Sequence, residues 1–166
     1  MRKYILLIFF VILNAQVWES SFAAGNFDDN NNFMGGSEVL QLVSHKNELF
    51  ASIGYWQDES NIWYGGDNIN YGWAQILKLG RPDEDWAVDL NLDSYYLRPE
   101  ILKQVIFTKD MFGNELESPD SLLIAAAFSN YFFGPVTATT FIRDDENNSW
   151  NESTIYEGNQ PTESES

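Results

Sequence analysis

The hydrophobic pattern along the chain consists of short segments that alternate apolar and polar positions or are continuously apolar. Such segments are typical of β-strands, and none of them has convincing helical periodicity. Turn-forming residues separate them, as in Gly65-Gly66-Asp67-Asn68. The predicted strands are Val39–Ser44, Glu48–Tyr55, Trp73–Leu79, Trp86–Asn91, Ile101–Thr108, Ser121–Phe128, Val136–Arg143 and Trp150–Ile155. The pattern therefore predicts an all-β fold with two sets of four strands.

The second set of strands repeats the order of the first, with different loop lengths. Trp86 lies 64 residues before Trp150, and each follows an acidic turn. The other matched segments are Val39–Val43 with Ile101–Val105, Leu49–Ala51 with Leu123–Ala125, and Trp73–Leu77 with Thr137–Phe141. Periods of this size are typical of arrays and propellers built from small antiparallel sheets. We predict one domain over residues 37–156, made of two four-stranded repeats over 37–92 and 99–156.

The turn between the last two predicted strands is the most specific motif. Arg143-Asp144-Asp145-Glu146-Asn147-Asn148-Ser149-Trp150 resembles the Asp-box of sialidase-like β-propellers, a Ser/Thr-x-Asp-x-Gly-x-x-Trp turn that joins the third and fourth strands of a blade. Asp145 and Trp150 match the family's Asp and aromatic positions, and Asn147, which tolerates positive φ, stands in place of Gly. Arg143 departs from the family's Ser/Thr. The resemblance implies a structural turn in which Asp145 accepts backbone N–H groups and Trp150 fills the gap between sheets.

Two blades are fewer than a propeller usually needs, since propellers close with about four to eight. Open sheet edges invite pairing with another chain, so self-association through these edges is expected. Three arrangements stay open: a piece of a longer propeller, a ring of several copies, or a small β-sandwich or barrel closed by the eight strands.

The first 23 residues have the three parts of a secretory signal peptide. Arg2 and Lys3 precede the apolar run Tyr4–Leu13, which is about half the length of a membrane-spanning helix. Cleavage is predicted after Ala23, which gives a secreted or periplasmic protein with no membrane insertion after cleavage. Residues 24–36 are predicted to be a flexible leader, and residues 157–166 a disordered acidic tail.

Composition narrows the range of partners and chemistry. The 166 residues include 25 Asp and Glu against 9 Lys and Arg, which gives a formal charge of −16. A polyanionic protein repels nucleic acid and anionic membranes, so neither is expected as a partner. Because the chain has no cysteine, disulfides, thiolate metal sites and cysteine nucleophiles are excluded.

Aromatic residues are concentrated in the loops after the second strand of each set and in the connection between the sets. In an antiparallel meander these segments emerge at one end of the sheets, and the Asp-box-like turns at the other. Aromatic faces stack on sugar C–H groups and polar side chains bind the hydroxyls, so this surface is predicted to bind a glycan or a protein. Its residues are Trp56, Trp63, Tyr64, Tyr71, Tyr95, Tyr96, Tyr131 and Phe132.

No pattern in the chain assigns a catalytic residue. His45, the single histidine, lies in a turn and is predicted to be exposed to solvent. A sialidase would need three clustered arginines, but Arg81 and Arg143 are both predicted at the Asp-box end. No cofactor is assigned either. The acidic runs 28–32 and 144–148 offer oxygen ligands that suit calcium, yet neither matches an EF-hand loop, so they are interpreted as solvated turns with calcium as the alternative.

The sequence therefore predicts an exported, non-enzymatic binding module for a glycan or a protein. The alternatives are a truncated propeller hydrolase whose catalytic blades are missing, and a structural envelope protein.

Overall fold

The structure is a computed structural model that describes residues 20–54, 74–92, 96–129 and 136–158. These residues form strands joined by turns and contain no helix, so none of them forms a helix that could span a membrane. The strands are β1 (Asn26–Phe27), β2 (Phe33–Met34), β3 (Glu38–His45), β4 (Glu48–Gly54), β5 (Gln75–Leu79), β6 (Ala87–Asn91), β7 (Tyr96–Lys109), β8 (Glu115–Ser129), β9 (Val136–Asp144) and β10 (Ser149–Gly158). The prediction of an all-β fold is confirmed.

Strands β3–β6 form one four-stranded sheet, sheet I, and strands β7–β10 form a second, sheet II. Both are antiparallel meanders in which strands that follow each other along the chain are neighbours in the sheet. This is the predicted grouping into two sets of four. The hairpin of β7 and β8 is longer than predicted, and its turn is closed by Asp110, whose carboxylate accepts the N–H groups of Phe112 (2.9 Å) and Asn114 (2.8 Å).

Sheets I and II pack face to face, with β7 against β3 and β4, and β10 against β6. Alternation along each strand turns every second side chain toward the facing sheet. The core between the sheets consists of Phe50, Ala74, Ile76, Leu92, Leu102, Leu123, Ala125, Ala127 and Phe141. The two sheets therefore share one hydrophobic interior.

The other face of sheet I is covered by the hairpin of β1 and β2; we call it the capped face. Its buried residues are Met34, Ala51, Ile53, Leu77 and Trp86. The buried Gln75 side chain anchors the hairpin, since its Oε1 accepts the N–H of Gly35 (3.1 Å) and its Nε2 donates to the carbonyl of Phe33 (2.7 Å). Gly36 permits the close approach, because a Cβ there would lie 2.7 Å from the backbone nitrogen of Gly54.

Asp28 closes the turn of this hairpin and ties it to sheet I. Its Oδ1 accepts the N–H groups of Asn30 (3.0 Å) and Asn32 (2.7 Å), and its Oδ2 accepts the N–H of Val88 (3.0 Å). Burial alone would raise the pKa of Asp28, but the hydrogen bonds from Asn32, Val88 and Asn30 together lower it. Residues 24–36 therefore contain a docked hairpin where their composition predicts a flexible leader.

At the other end of the domain, Glu157 and Gly158 of the predicted tail complete β10. Residues 159–166 of that tail lie outside the described residues.

The sequence repeat corresponds to equivalent faces of the two sheets. Residues on the capped face of sheet I match residues of sheet II that face sheet I. The pairs are Ala51 with Ala125, Leu77 with Phe141, and Trp86 with Trp150. The two sheets are thus stacked in the same orientation. In the repeat, the capped face of sheet I, which contacts the hairpin, is equivalent to the face of sheet II that contacts sheet I.

Candidate functional site

Most of the predicted aromatic surface lies outside the described residues: Trp56, Trp63, Tyr64, Tyr71, Tyr95, Tyr131 and Phe132. The strands that flank the two aromatic loops end together, at Gly54 and Ser129, on the side away from the acidic turns. Tyr96 is described and takes part in packing. Its hydroxyl donates to Thr139 Oγ1 (3.0 Å), and its ring meets the ring of Phe141 edge-on at 6.2 Å between centroids.

The turns at the opposite end enclose a buried charged cluster that joins the two sheets. Arg143 of β9 is only 3 % exposed, and its guanidinium donates to both carboxylate oxygens of Asp89 on β6, at 2.9 and 3.2 Å. The same guanidinium donates to Asp145, and the indole N–H of Trp150 donates to Asp89 (2.8 Å). Because Asp89 belongs to sheet I and Arg143 to sheet II, this bidentate pair is a fixed link between the sheets.

His45 belongs to this cluster, so the prediction of an exposed histidine is wrong. The residue is 1 % exposed, and its Nε2 lies 2.9 Å from Asp145 Oδ2. Gln104 Nε2 lies 3.3 Å from the other ring nitrogen, which leaves the Nε2 proton of His45 to donate to Asp145. Lys46 Nζ approaches the same carboxylate at 2.8 Å.

The turn differs in its bonding from what the Asp-box resemblance implies. Asp144 accepts the backbone N–H groups of Glu146 (3.0 Å) and Asn147 (3.1 Å), whereas the hydrogen bonds to Asp145 come from side chains. The positive φ falls on Asn148 (49°) and leaves Asn147 in an ordinary conformation. Trp150 does pack against the core between the sheets, as the resemblance implies.

The environment of Asp145 keeps its carboxyl group ionised. Burial alone would raise the pKa of Asp145, but hydrogen bonds from Lys46, His45 and Arg143 outweigh it and hold the pKa far below its usual range. Asp145 is bound at once by His45, Arg143 and Lys46, and Arg143 also holds Asp89 of sheet I. We therefore assign the cluster a structural role.

We predict that replacing Asp145 with asparagine lowers the free energy of unfolding at pH 7 by about 1–3 kcal/mol, the usual range for hydrogen bonds to a charged group. The depressed pKa means that Asp145 stabilises the fold above its unfolded-state pKa of about 3.9 and that this contribution is lost as the pH falls below that value. Urea unfolding at a series of pH values measures both effects.

The variant should lose less stability than the wild type on acidification, since it lacks this titrating group. Glu146→Gln, a change at the exposed neighbouring position, is the control and should leave the urea midpoint at pH 7 unchanged. Equal acid sensitivity of Asp145→Asn and wild type would contradict the assignment.

A pocket of about 450 Å³ lies where the β1–β2 hairpin meets sheet I. It is lined by Ser20, Ser21, Phe22, Ala23, Asn26, Phe27, Asp28, Asp29, Met34, Asp85 and Trp86. Neither Asp29 nor Asp85 forms a hydrogen bond or ion pair with another of the described residues. The indole N–H of Trp86 donates to Ser21 Oγ (3.3 Å), and the Phe27 side chain is 53 % exposed.

Sequence reasoning missed this pocket because its acids lie in two turns that are far apart in the chain. The acidic run Asp28–Asn32 was singled out, but only the hairpin brings it beside Asp85 and Trp86. Among the described residues, no group of three or more histidines and acids is arranged to hold a metal ion.

Comparison with known proteins adds no assignment to this geometry: no protein-family model, curated protein or solved structure matches the chain.

Proposed function

We propose that the protein is an exported, non-enzymatic binding module that recognises a carbohydrate in the pocket between the β1–β2 hairpin and sheet I. The observation that carries the proposal is the pair of carboxylates, Asp29 and Asp85, that bond to no other described residue and line a concave site with aromatic walls. With residues 20–23 in place the pocket measures about 450 Å³, within the range of about 300–1,000 Å³ that is usual for ligand sites.

The chemistry of the lining favours a neutral sugar or an amino sugar. Carboxylate oxygens accept hydrogen bonds from hydroxyl and ammonium groups, and the exposed ring of Phe27 offers a face to sugar C–H groups. Three acids line the pocket, so an anionic sugar would be repelled.

Removal of a signal peptide after Ala23 would open the pocket further. The hydroxyl of Ser21, which accepts the indole N–H of Trp86, would leave with residues 20–23, together with the Phe22 side chain that packs against the capped face. The indole N–H would then point into the pocket as an additional donor. The mature, secreted form is therefore the one to test.

We expect the mature protein to bind neutral or amino glycans on a glycan array and to ignore anionic ones. The combined change Asp29→Asn and Asp85→Asn should weaken the affinity, measured by calorimetry, by about tenfold or more, because each carboxylate is a stronger acceptor than the amide that replaces it. Asp83→Asn, in the same turn as Asp85 but outside the pocket, is the matched control and should bind like the wild type.

A second pair of changes, Trp63→Ala with Tyr64→Ala, distinguishes binding in the pocket from binding by the predicted aromatic loop surface. If only this pair abolishes glycan binding, the site lies in the loops and the pocket proposal fails. If the folded wild type binds no glycan, carbohydrate recognition itself is rejected.

A further inference from the structure

The face of sheet II that points away from sheet I is apolar; we call it the open face. Cross-strand register defines it, since residues directly opposite each other share a face: Ile124 pairs with Ile142, and Phe128 pairs with Ala138. Its apolar members are Ile101, Val105, Phe107, Leu122, Ile124, Ala126, Phe128, Ala138, Ile142 and Tyr156.

No described part of the chain covers the open face. Large side chains across it are exposed to solvent, including Ile101 (50 %), Phe128 (55 %) and Tyr156 (59 %). Contiguous apolar surface of this kind marks an interaction site in a soluble protein. Residues 159–166, which follow β10, contain no large apolar side chain that would supply a cover.

The charge distribution also sets the open face apart from the rest of the surface. The chain has a formal charge of −16, yet in the described structure the only charged residue in the middle of this face is a lysine, Lys103, opposite Ile124. The acids on this side, Asp120 and Asp144, lie at the end where the turns are. Within the described residues, the acids that give the chain its negative charge therefore lie outside the middle of this face.

The internal repeat indicates what kind of surface can pack on the open face. By the sequence offsets, Val105, Ile124 and Thr140 of the open face correspond to Val43, Phe50 and Ile76 of sheet I. Those three residues of sheet I are covered by sheet II. The equivalent face inside this molecule is thus covered by another four-stranded antiparallel sheet.

The β1–β2 hairpin determines which sheet face of a second copy is free to pack on the open face. A head-to-tail contact would place the capped face of the next copy on the open face, but the β1–β2 hairpin and its anchor Gln75 occupy the capped face. On the capped face only the β3 edge, with Val39 and Leu42, stays exposed, so among the described residues the open face is the one sheet face on which no other element packs. We propose that the protein forms a two-fold symmetric dimer in which the open faces of two copies pack on each other.

The size of the open face indicates what class of interface it can form. Four strands spaced about 4.8 Å apart and about seven residues long give a footprint of about 450 Å² per copy. The total of about 900 Å² is smaller than the roughly 1,200–2,000 Å² of stable interfaces, so we expect a weak, reversible dimer and take micromolar as its range. Because two acidic copies repel each other, added salt should strengthen the association.

Sedimentation of the mature protein from about 1 to 200 μM, a range that brackets a micromolar Kd, tests the proposal. We expect a reversible monomer–dimer equilibrium that shifts toward dimer in high salt. Ile101→Glu and Ile142→Glu, both at exposed positions where the monomer tolerates a carboxylate, should each weaken the dimer at least about tenfold. Leu42→Glu is the matched control, since Leu42 is 59 % exposed on β3 and lies outside the open face.

Circular dichroism verifies that each variant retains its β-sheet spectrum. A wild type that stays monomeric over the whole range in high salt would overturn the proposal. So would a dimer that resists both open-face changes or is disrupted by Leu42→Glu. Open-ended polymers would show that the copies associate head to tail, which the two-fold arrangement forbids. These outcomes are independent of the pocket and its ligand.

Discussion

Replacing Arg143 with methionine is expected to lower the free energy of unfolding by about 3–5 kcal/mol, the range measured when one partner of a buried ion pair is removed. Methionine retains most of the apolar stem but leaves Asp89, whose side chain is 6 % exposed, without its bidentate partner. It also removes one of the donors to Asp145. Urea unfolding at pH 7 measures the effect.

Arg81→Met serves as the control for the loss of an arginine at the same end of the domain. Arg81 is 72 % exposed and pairs with Glu84 at the surface, so its removal should change the stability by at most about 1 kcal/mol. Adding Asp89→Asn to Arg143→Met should restore part of the lost stability, because it removes the uncompensated buried charge. A similar small effect of both arginine changes would reject the link between the sheets.

Replacing Phe50 with alanine is expected to cost about 3–5 kcal/mol of unfolding free energy, as for other fully buried phenylalanines. The ring is 0 % exposed and lies in the centre of the core between the sheets. Arg143 Cζ lies 5.0 Å from its centroid, and the ring of His45 meets it at 6.1 Å. Truncation therefore leaves a cavity and removes a cation–π contact under the charged cluster.

Phe112→Ala gives the comparison for this variant, since Phe112 is 80 % exposed at the tip of the β7–β8 hairpin. It should unfold at nearly the wild-type urea concentration. If Phe50→Ala is as stable as Phe112→Ala, the two sheets do not share the interior that we describe.

The eight long strands could be predicted because each carries its own signal. Alternation or a continuous apolar run over six or more residues specifies a strand without reference to the rest of the chain. The strands β1 and β2 have two residues each and no periodicity, so their sequence resembles a loop. Distant partners hold them in place, Gln75 and the N–H of Val88, which no local pattern reveals.

The charged cluster could be predicted only in part. Trp150 was expected between the sheets, but the position of His45 depends on Asp145, which lies 100 residues away in the sequence. A signal was nevertheless present: Asp89 and Arg143 are opposite charges, each next to apolar residues within a strand of one of the two sheets. Because an unpaired charge is costly to bury, two opposite charges in strands favour an ion pair between those strands.

The common orientation of the two sheets determines on which face a third sheet could be added. A fusion that repeats residues 96–158 after Gly158 would set a third sheet onto the last one in the orientation already used once, at the cost only of a connecting loop. The equivalent position on the capped face of sheet I is already taken by the β1–β2 hairpin. Tandem duplication is therefore best attempted after β10, where the open face can receive the added sheet.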